Sequence, residues 1–268
     1  MATNPTIPSA TRASTAARAG STGIPKKIHY VWLGGKPLPA KAKSLIDGWK
    51  RVMPDHDVLE WNESNFDVRS HPWMARMYAE GRFAFASDYV RLKVLQEHGG
   101  LYLDTDMEVK KHLGPLLDAR CLFSFEMDSF LATCIMACEP GHPVMADLLR
   151  KYDELSGVVV SNSLVTEHFL ETYPDFHVDN REKVLGEGVR ILPKEFCVVP
   201  TFTGKRNYAV HHAENQWKPG QRLRLGRVLR GVIGGALFYK LVNARMNMNS
   251  AYRRMDKARG KGMVKVPA

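Results

Sequence analysis

The chain lacks several features that would set it apart from ordinary globular proteins. Its four cysteines, Cys121, Cys134, Cys138 and Cys197, are too few among 268 residues for a dense disulfide framework. The longest nearly uncharged apolar run, Gly231–Tyr239, falls far short of the roughly 20 residues a membrane-spanning helix requires. No secretory apolar stretch follows the N-terminus, so the expectation is a reduced, cytoplasmic protein. Acidic residues are scarce at one end only: residues 218–268 hold 13 Lys and Arg against the single Asp256, whereas residues 1–217 hold 25 basic and 27 acidic side chains. The formal charge of +10 therefore belongs to the C-terminal stretch. That distribution excludes a uniformly basic nucleic-acid-binding domain and describes a near-neutral globule with a cationic appendage.

What is present divides the chain into three parts. Residues 1–23 are Ala, Thr, Ser, Pro and Gly with two arginines and no apolar periodicity, a composition that predicts disorder. Being Arg- and Ser-containing and free of acids, the segment also fits a transit peptide. From Ile24 to Lys218 the pattern alternates between strand and helix. Lys27–Leu33 reads as a buried first strand ending at Gly34-Gly35, Ala40–Val52 as a helix and His56–Trp61 as a second strand. This order predicts a βαβ unit and an α/β sheet. A helix opens at His71-Pro72. Another spans Phe83–His98, burying one side through Val90, Leu92, Val94 and Leu95 and stopping at Gly99-Gly100. Strands are expected at Leu101–Leu103, Cys121–Phe125, Leu131–Cys138, Val189–Leu192 and Tyr208–His211, with helices at His142–Asp153 and Ser161–Tyr173.

The chemistry concentrates between Ser87 and Asp106. Asp88 and Arg91 are three apart and share a helix face. Asp104 and Asp106 are two apart where an apolar strand ends, so in extended backbone both carboxylates point the same way. Two carboxylates held together repel unless a cation or proton intervenes, and oxygen ligands without a thiolate favour Mg²⁺, Mn²⁺ or Ca²⁺ over zinc. A bare Asp-x-Asp also fits a solvated turn. The full string here is more particular: Ser87-Asp88-x-x-Arg91, the Gly-Gly stop, then Leu101-Tyr102-Leu103-Asp104-Thr105-Asp106.

That string resembles glycosyltransferase family 32, the group with the Asp-x-Asp sugar-nucleotide signature, and a similar arrangement occurs in the large clostridial glucosylating toxins. The resemblance runs from about Ile24 to Lys218 and includes the opening Ile24–Gly35, Phe125-Glu126, Ile135-Met136-Ala137, Pro140-Gly141-His142-Pro143 and the late His211-His212…Trp217. It implies an α/β, Rossmann-like GT-A fold forming a single domain over residues 24–218; the basic, partly amphipathic tail over 219–268 is read from its own composition. It also implies a metal-dependent, retaining transfer of sugar from a UDP- or GDP-sugar to a glycan or lipid-linked acceptor, in bacterial capsule or surface polysaccharide synthesis. By position, Asp104 faces the ribose and metal-bound water, Asp106 ligates Mn²⁺ or Mg²⁺, and Asp88 and Arg91 hold the donor sugar. Trp32 lies near the base, or is a core Trp.

In the late motif a neutral imidazole can complete a Mn²⁺ site and the Trp217 N–H can reach a pyrophosphate oxygen. Adjacent histidines on a strand point to opposite sides, so one of the pair is expected to be a ligand, with His212 favoured over His211. Family members usually read Gly-Ser-Trp where this chain has Asn215-Gln216-Trp217. Glu126 is read as a sugar-binding carboxylate or a buried salt-bridge partner, Asn162 as a substrate contact or a helix N-cap, and Cys134 and Cys138 as packing residues.

The tail interleaves Arg222, Arg224, Arg227, Arg230, Lys240 and Arg245 with apolar residues, a pattern that suits an anionic membrane surface. Gly231, Gly234 and Gly235 weaken the helix, and a solvated helix covering the core is the alternative reading. Arg253 to Lys265 extend the charge on flexible chain. Two other functions fit the same residues: a nucleotide-sugar hydrolase using the metal site, and a non-catalytic protein binding membranes or polyanions.

Overall fold

The computed structural model describes residues 23–213 and 230–260. The N-terminal segment read as disordered, apart from residue 23, lies outside the described residues, as do Trp217 and the basic positions Arg222, Arg224 and Arg227.

Strands and helices alternate through the described chain in α/β order. Strand β1 (Lys27–Val31) pairs in parallel with β2 (Asp57–Trp61) on one side and with β3 (Gly100–Leu103) on the other. Strand β3 then pairs antiparallel with β7 (Ile135–Cys138), β7 antiparallel with β5 (Cys121–Met127), and β5 parallel with β9 (Val189–Leu192), next to the edge strand β8 (Lys183–Leu185). The result is a mixed sheet in which β1, β3 and β5 all run the same way. Their carboxyl ends therefore meet at one edge, where open α/β sheets bind ligands. A separate two-stranded ribbon joins β4 (Met107–Val109) to β10 (Ala209–His211).

Both faces of the sheet are covered, which explains why β3 reads as an unbroken apolar run. Tyr102 contributes to one core with α2 (Pro72–Ala79), α3 (Phe83–His98), α4 (Pro143–Asp153) and α5 (Ser161–Thr172). Leu101 and Leu103 contribute to the other with α1 (Ala40–Val52), α6 (Lys194–Cys197) and Tyr239 of α7 (Gly235–Met248). The last helix, α8 (Ala251–Gly260), packs on α5.

The α/β expectation is met, and most elements fall where the apolar spacing puts them. Three local expectations are corrected. Helix α3 is not buried on one side alone: sheet and helices enclose it, so Asp88 and Arg91 are buried with its apolar residues. The strand expected over Leu131–Cys138 breaks into β6 (Phe130–Leu131) and β7, because the carbonyls of Thr133 and Cys134 leave the ladder to accept from Arg91 and from the Asp104 amide. The stretch from Arg253 to Arg259 is helical and anchored. The Arg259 guanidinium donates to the carbonyls of Leu170, Tyr173 and Phe176, while Asp256 accepts from His177 and the Val178 amide. The covering-helix reading of the tail thus describes α8.

Gly99 and Gly100 do more than end α3. Both have positive φ, and a Cβ on Gly99 would lie 2.6 Å from Pro140. The Gly99 carbonyl accepts from His29 Nε2 at 2.8 Å, and His29 Nδ1 accepts from the Trp61 indole at 3.0 Å. These two bonds fix one neutral tautomer. Burial, helped by the neighbouring His98 and Lys27 charges and opposed by the Gly99 bond, lowers the His29 pKa to about 4. Since this folded-state pKa lies below the unfolded value near 6.5, the stabilisation is complete above pH 6.5 and is lost as pH falls toward 4, by about 3 kcal/mol in all. His29→Gln should therefore show a shallower fall of thermal midpoint between pH 6.5 and 4.5 than the parent protein. His168, also lowered to about 4 by burial, leaves a residual slope.

Candidate active site

The carboxyl end of β3 carries Asp104 out of the sheet, and its amide donates to the Cys134 carbonyl at 2.9 Å. The Asp104-Thr105-Asp106 stretch is a turn closed by the Met107 amide on the Asp104 carbonyl, not the extended backbone expected. The two carboxylates nevertheless converge. Strand β10 lies against β4 with His211 opposite Met107, which brings its imidazole Nε2 to 3.1 Å from Asp106 Oδ1. Ligand atoms of Asp104, Asp106 and His211 all lie within 4.8 Å of one another.

His212 goes the other way. Its amide bonds the Asp106 carbonyl, but its ring faces Glu108 at 3.1 Å. The expectation favouring His212 as the cluster's imidazole is corrected: alternation along the strand sends His211 inward and His212 outward. Burial disfavours a charged His211 ring, but the neighbouring Cys134 sulfur and the Asp106 carboxylate outweigh it and raise its pKa well above the ordinary value.

Behind the turn, Arg91 links the helix to the strand. Its guanidinium lies 2.9 Å from Asp88 Oδ1 and 3.4 Å from Asp104 Oδ1, donates to the Thr133 carbonyl at 2.7 Å, and sits 4.7 Å from the centre of the Tyr102 ring. The Tyr102 hydroxyl donates to the same Asp104 Oδ1 at 2.8 Å. Burial alone would lower the Arg91 pKa, yet Asp104, Tyr102 and Asp88 raise it. Asp88 is pushed up to about 6, chiefly by burial and partly by Asp104, against the pull of Arg91 and a hydrogen bond from Ser161. Asp88 is thus the one group of the pair with a protonation state poised near neutrality.

Glu126 lies near the carboxyl end of β5. Its partner is Asn162, whose amide donates to Glu126 Oε2 at 2.6 Å and to the Leu131 carbonyl at 2.8 Å. Asn162 is the second residue of α5 and not its N-cap, which is Val160. Burial raises the Glu126 pKa, with Asp104 and Asp106 adding to the shift and His211 opposing it, so all four groups share one electrostatic neighbourhood. Trp32 stands half-buried just past the end of β1, its indole N–H spent on the Lys36 carbonyl at 2.6 Å. Trp217 is outside the described residues.

Thr133 and Ser161, whose hydroxyls lie 2.9 Å apart, belong to the site without having been singled out. The only sequence signal for them was the polar interruption of two apolar runs. Helix α7 also reaches the site wall. Its Tyr239 hydroxyl lies 3.5 Å from the His211 carbonyl, and Asn243 and Asn247 donate to Asp128 Oδ2 at 2.7 and 3.0 Å. Lys194 pairs with the other Asp128 oxygen.

The donor set suits a hard divalent cation: two carboxylates, one imidazole, and a surplus of buried acidic groups around them. A second ligand-type cluster, Asp55, His56 and His112, is closed by its own hydrogen bonds. There the Gly114 amide donates to His112 Nδ1, so the proton of the neutral ring sits on Nε2 and is directed at Asp55.

Residues 39–123 match the family model described as "Glycosyltransferase sugar-binding region containing DXD motif". The chain is 29% identical over 138 residues to inositol phosphoceramide mannosyltransferase 3 of Schizosaccharomyces pombe, covering 48% of this chain and 37% of that protein. It is 25% identical over 175 residues to an uncharacterized glycosyltransferase of Acanthamoeba polyphaga mimivirus, covering 59% and 67%. Among solved structures, the PaToxG glycosyltransferase aligns with a TM-score of 0.48 at 22% identity, over 57% of this chain and 70% of that one. The galactosyltransferase LgtC, in complex with donor and acceptor sugar analogues, aligns at 0.42 and 12% identity, over 90% and 97%.

If His211 and not His212 completes the cation site, Mn²⁺ should raise the thermal midpoint of the parent protein and of His212→Ala. His211→Ala should need roughly tenfold more Mn²⁺, or more still, for the same shift.

Proposed function

We propose, from the match of residues 39–123 to the model of a glycosyltransferase sugar-binding region containing a DXD motif, that the chain transfers a sugar from a nucleotide-sugar to a hydroxyl acceptor. The observation that carries this reading is the convergence of Asp104, Asp106 and His211 at the carboxyl edge of the sheet, backed by the buried Asp88–Arg91 pair. DXD-type enzymes generally use a divalent metal, and the donor set fits one. Asp106 and His211, with Asp104 beside them, would hold Mn²⁺ or Mg²⁺, which supplies charge neutralisation for a diphosphate leaving group.

The other roles follow from the residues themselves. Asp88, with its pKa near 6, accepts from sugar hydroxyls, while Arg91 fixes its orientation and that of Asp104. Glu126 and Asn162 line the opposite side, within reach of a second sugar or the acceptor. Retention of anomeric configuration rests on the family resemblance; given retention, same-face attack is preferred to double displacement because no carboxylate among the described residues stands out as a nucleophile. In that step the acceptor oxygen bonds to the anomeric carbon, the carbon–phosphate oxygen bond breaks, and the acceptor proton passes to the departing diphosphate. The names of the fungal relatives favour a lipid-linked hydroxyl over a free glycan within the acceptor class. A surface polysaccharide or glycolipid is the corresponding product. Hydrolysis of the donor by the same site is the competing outcome.

Two variants separate the halves of the site. Asp106→Asn should lose Mn²⁺-dependent binding of nucleoside diphosphate and transfer together. Asp88→Asn should keep diphosphate binding but lose transfer by on the order of 100-fold, because a misplaced sugar carbon forfeits its orientation. Calorimetric titration beside transfer rates checks both, and NMR of the first-formed glycoside from an α-linked donor should show an α product. Equal loss of diphosphate binding in a folded Asp88→Asn would refute the division.

A further inference from the structure

Helix α7 is apolar on two opposite faces, and among the described residues only one of them is packed against the core. Toward the core it presents Phe238, Tyr239 and Val242, which pack with the α1 and β3 side of the sheet, and Asn243 and Asn247, which hold Asp128. Apart from Met246, its exposed positions are Leu237, Lys240, Leu241, Ala244, Arg245 and Met248, a spacing of three and four that lines a single helix face. Leu241 is 56% exposed and Met248 76%, so this apolar ridge is open along the helix. Lys240 and Arg245 flank it.

The surroundings have the same character. Pro200 lies against the start of α7, where a Cβ on Gly235 would be 3.1 Å from its ring. Two residues on, Phe202 is 75% exposed, followed by the exposed Lys205 and Arg206. In α8, Arg254, Met255 and Lys257 are exposed. Over residues 230–260 the one acidic side chain is Asp256, and it is turned inward onto His177, the Val178 amide and Arg259. No acidic group therefore sits on the outward side of either helix.

We propose that the outward face of α7, with the Phe202 loop and the basic side chains beside it, is a docking surface for an anionic lipid bilayer. An apolar ridge of Leu and Met flanked by Lys and Arg matches both layers of such a surface: the ridge enters the acyl boundary and the cations meet the headgroups. A nucleic acid or acidic protein would account for the charge but leave the ridge in contact with polar groups. The inner face of the same helix touches the His211 carbonyl and Asp128, so the docked surface lies one helix thickness from the wall of the candidate active site. Membrane docking stands independently of the transfer reaction, since nothing in it requires catalysis.

The test is co-sedimentation of the full chain with vesicles. The parent protein should partition onto mixed phosphatidylcholine and phosphatidylglycerol vesicles, bind pure phosphatidylcholine far less, and release as salt rises. Leu241→Ser with Met248→Ser should lower that partitioning roughly tenfold or more. Their thermal midpoint and Mn²⁺-dependent nucleoside diphosphate binding should stay at parent values, because neither side chain touches the core or the site. Lys240→Gln with Arg245→Gln should weaken binding to anionic vesicles and flatten its salt dependence. Unchanged partitioning of the Leu241/Met248 variant, or equal binding to neutral and anionic vesicles, would overturn the proposal. Retained binding of that variant to both single-stranded RNA and vesicles would assign the surface to polyanions in general and overturn it as well.

Discussion

The site depends on one buried guanidinium. Arg91 lies between a helix and a strand end, with Asp88, Asp104, the Thr133 carbonyl and the Tyr102 ring around it. A charge in that position would cost several kcal/mol if left unpaired, so each partner is a requirement and not an ornament. The break between β6 and β7 frees the Thr133 carbonyl, and the aromatic residue in β3 supplies both a ring for the guanidinium and a hydroxyl for Asp104. A lysine has one point charge and no fork, so it could not join the same four groups. Arg91 and Tyr102 share Asp104 Oδ1, so neither of them occupies the other carboxylate oxygen.

A second constraint comes from far along the chain. Asp128 follows β5, and its oxygens are taken by Lys194, Asn243 and Asn247. These contacts tie the strand that carries Glu126 to α6 and α7. The C-terminal helix is accordingly part of the wall around the His211 strand, even though its composition sets it apart from the globule. Of its two apolar faces, one packs inward and the other is exposed.

Much of this was legible in the sequence because periodicity and local signals agreed. The bounds of α1 and α3 follow from apolar spacing and, for α3, from the Gly-Gly stop, and the Asp-x-Asp lies at a strand end as its flanking residues indicate. What was not legible depends on contacts between distant segments. The choice of His211 over His212 is set by the register of β10 on β4, which no spacing within either strand records. Asn162 looked like a helix cap because capping and site residues share the same chemistry. The strand break at Ala132–Cys134 serves Arg91, some 40 residues earlier, and the anchoring of α8 rests on Asp256 and Arg259 meeting carbonyl and amide groups of the 170s.

The most direct measurement is anomalous scattering at the manganese edge from crystals grown with Mn²⁺ and a nucleoside diphosphate. The account predicts a peak between Asp106 and His211, next to Asp104, with the diphosphate beside it and the ring of His212 still turned to Glu108. A peak at Asp55, His56 and His112 instead, or a diphosphate bound away from the carboxyl edge of β3, would contradict it.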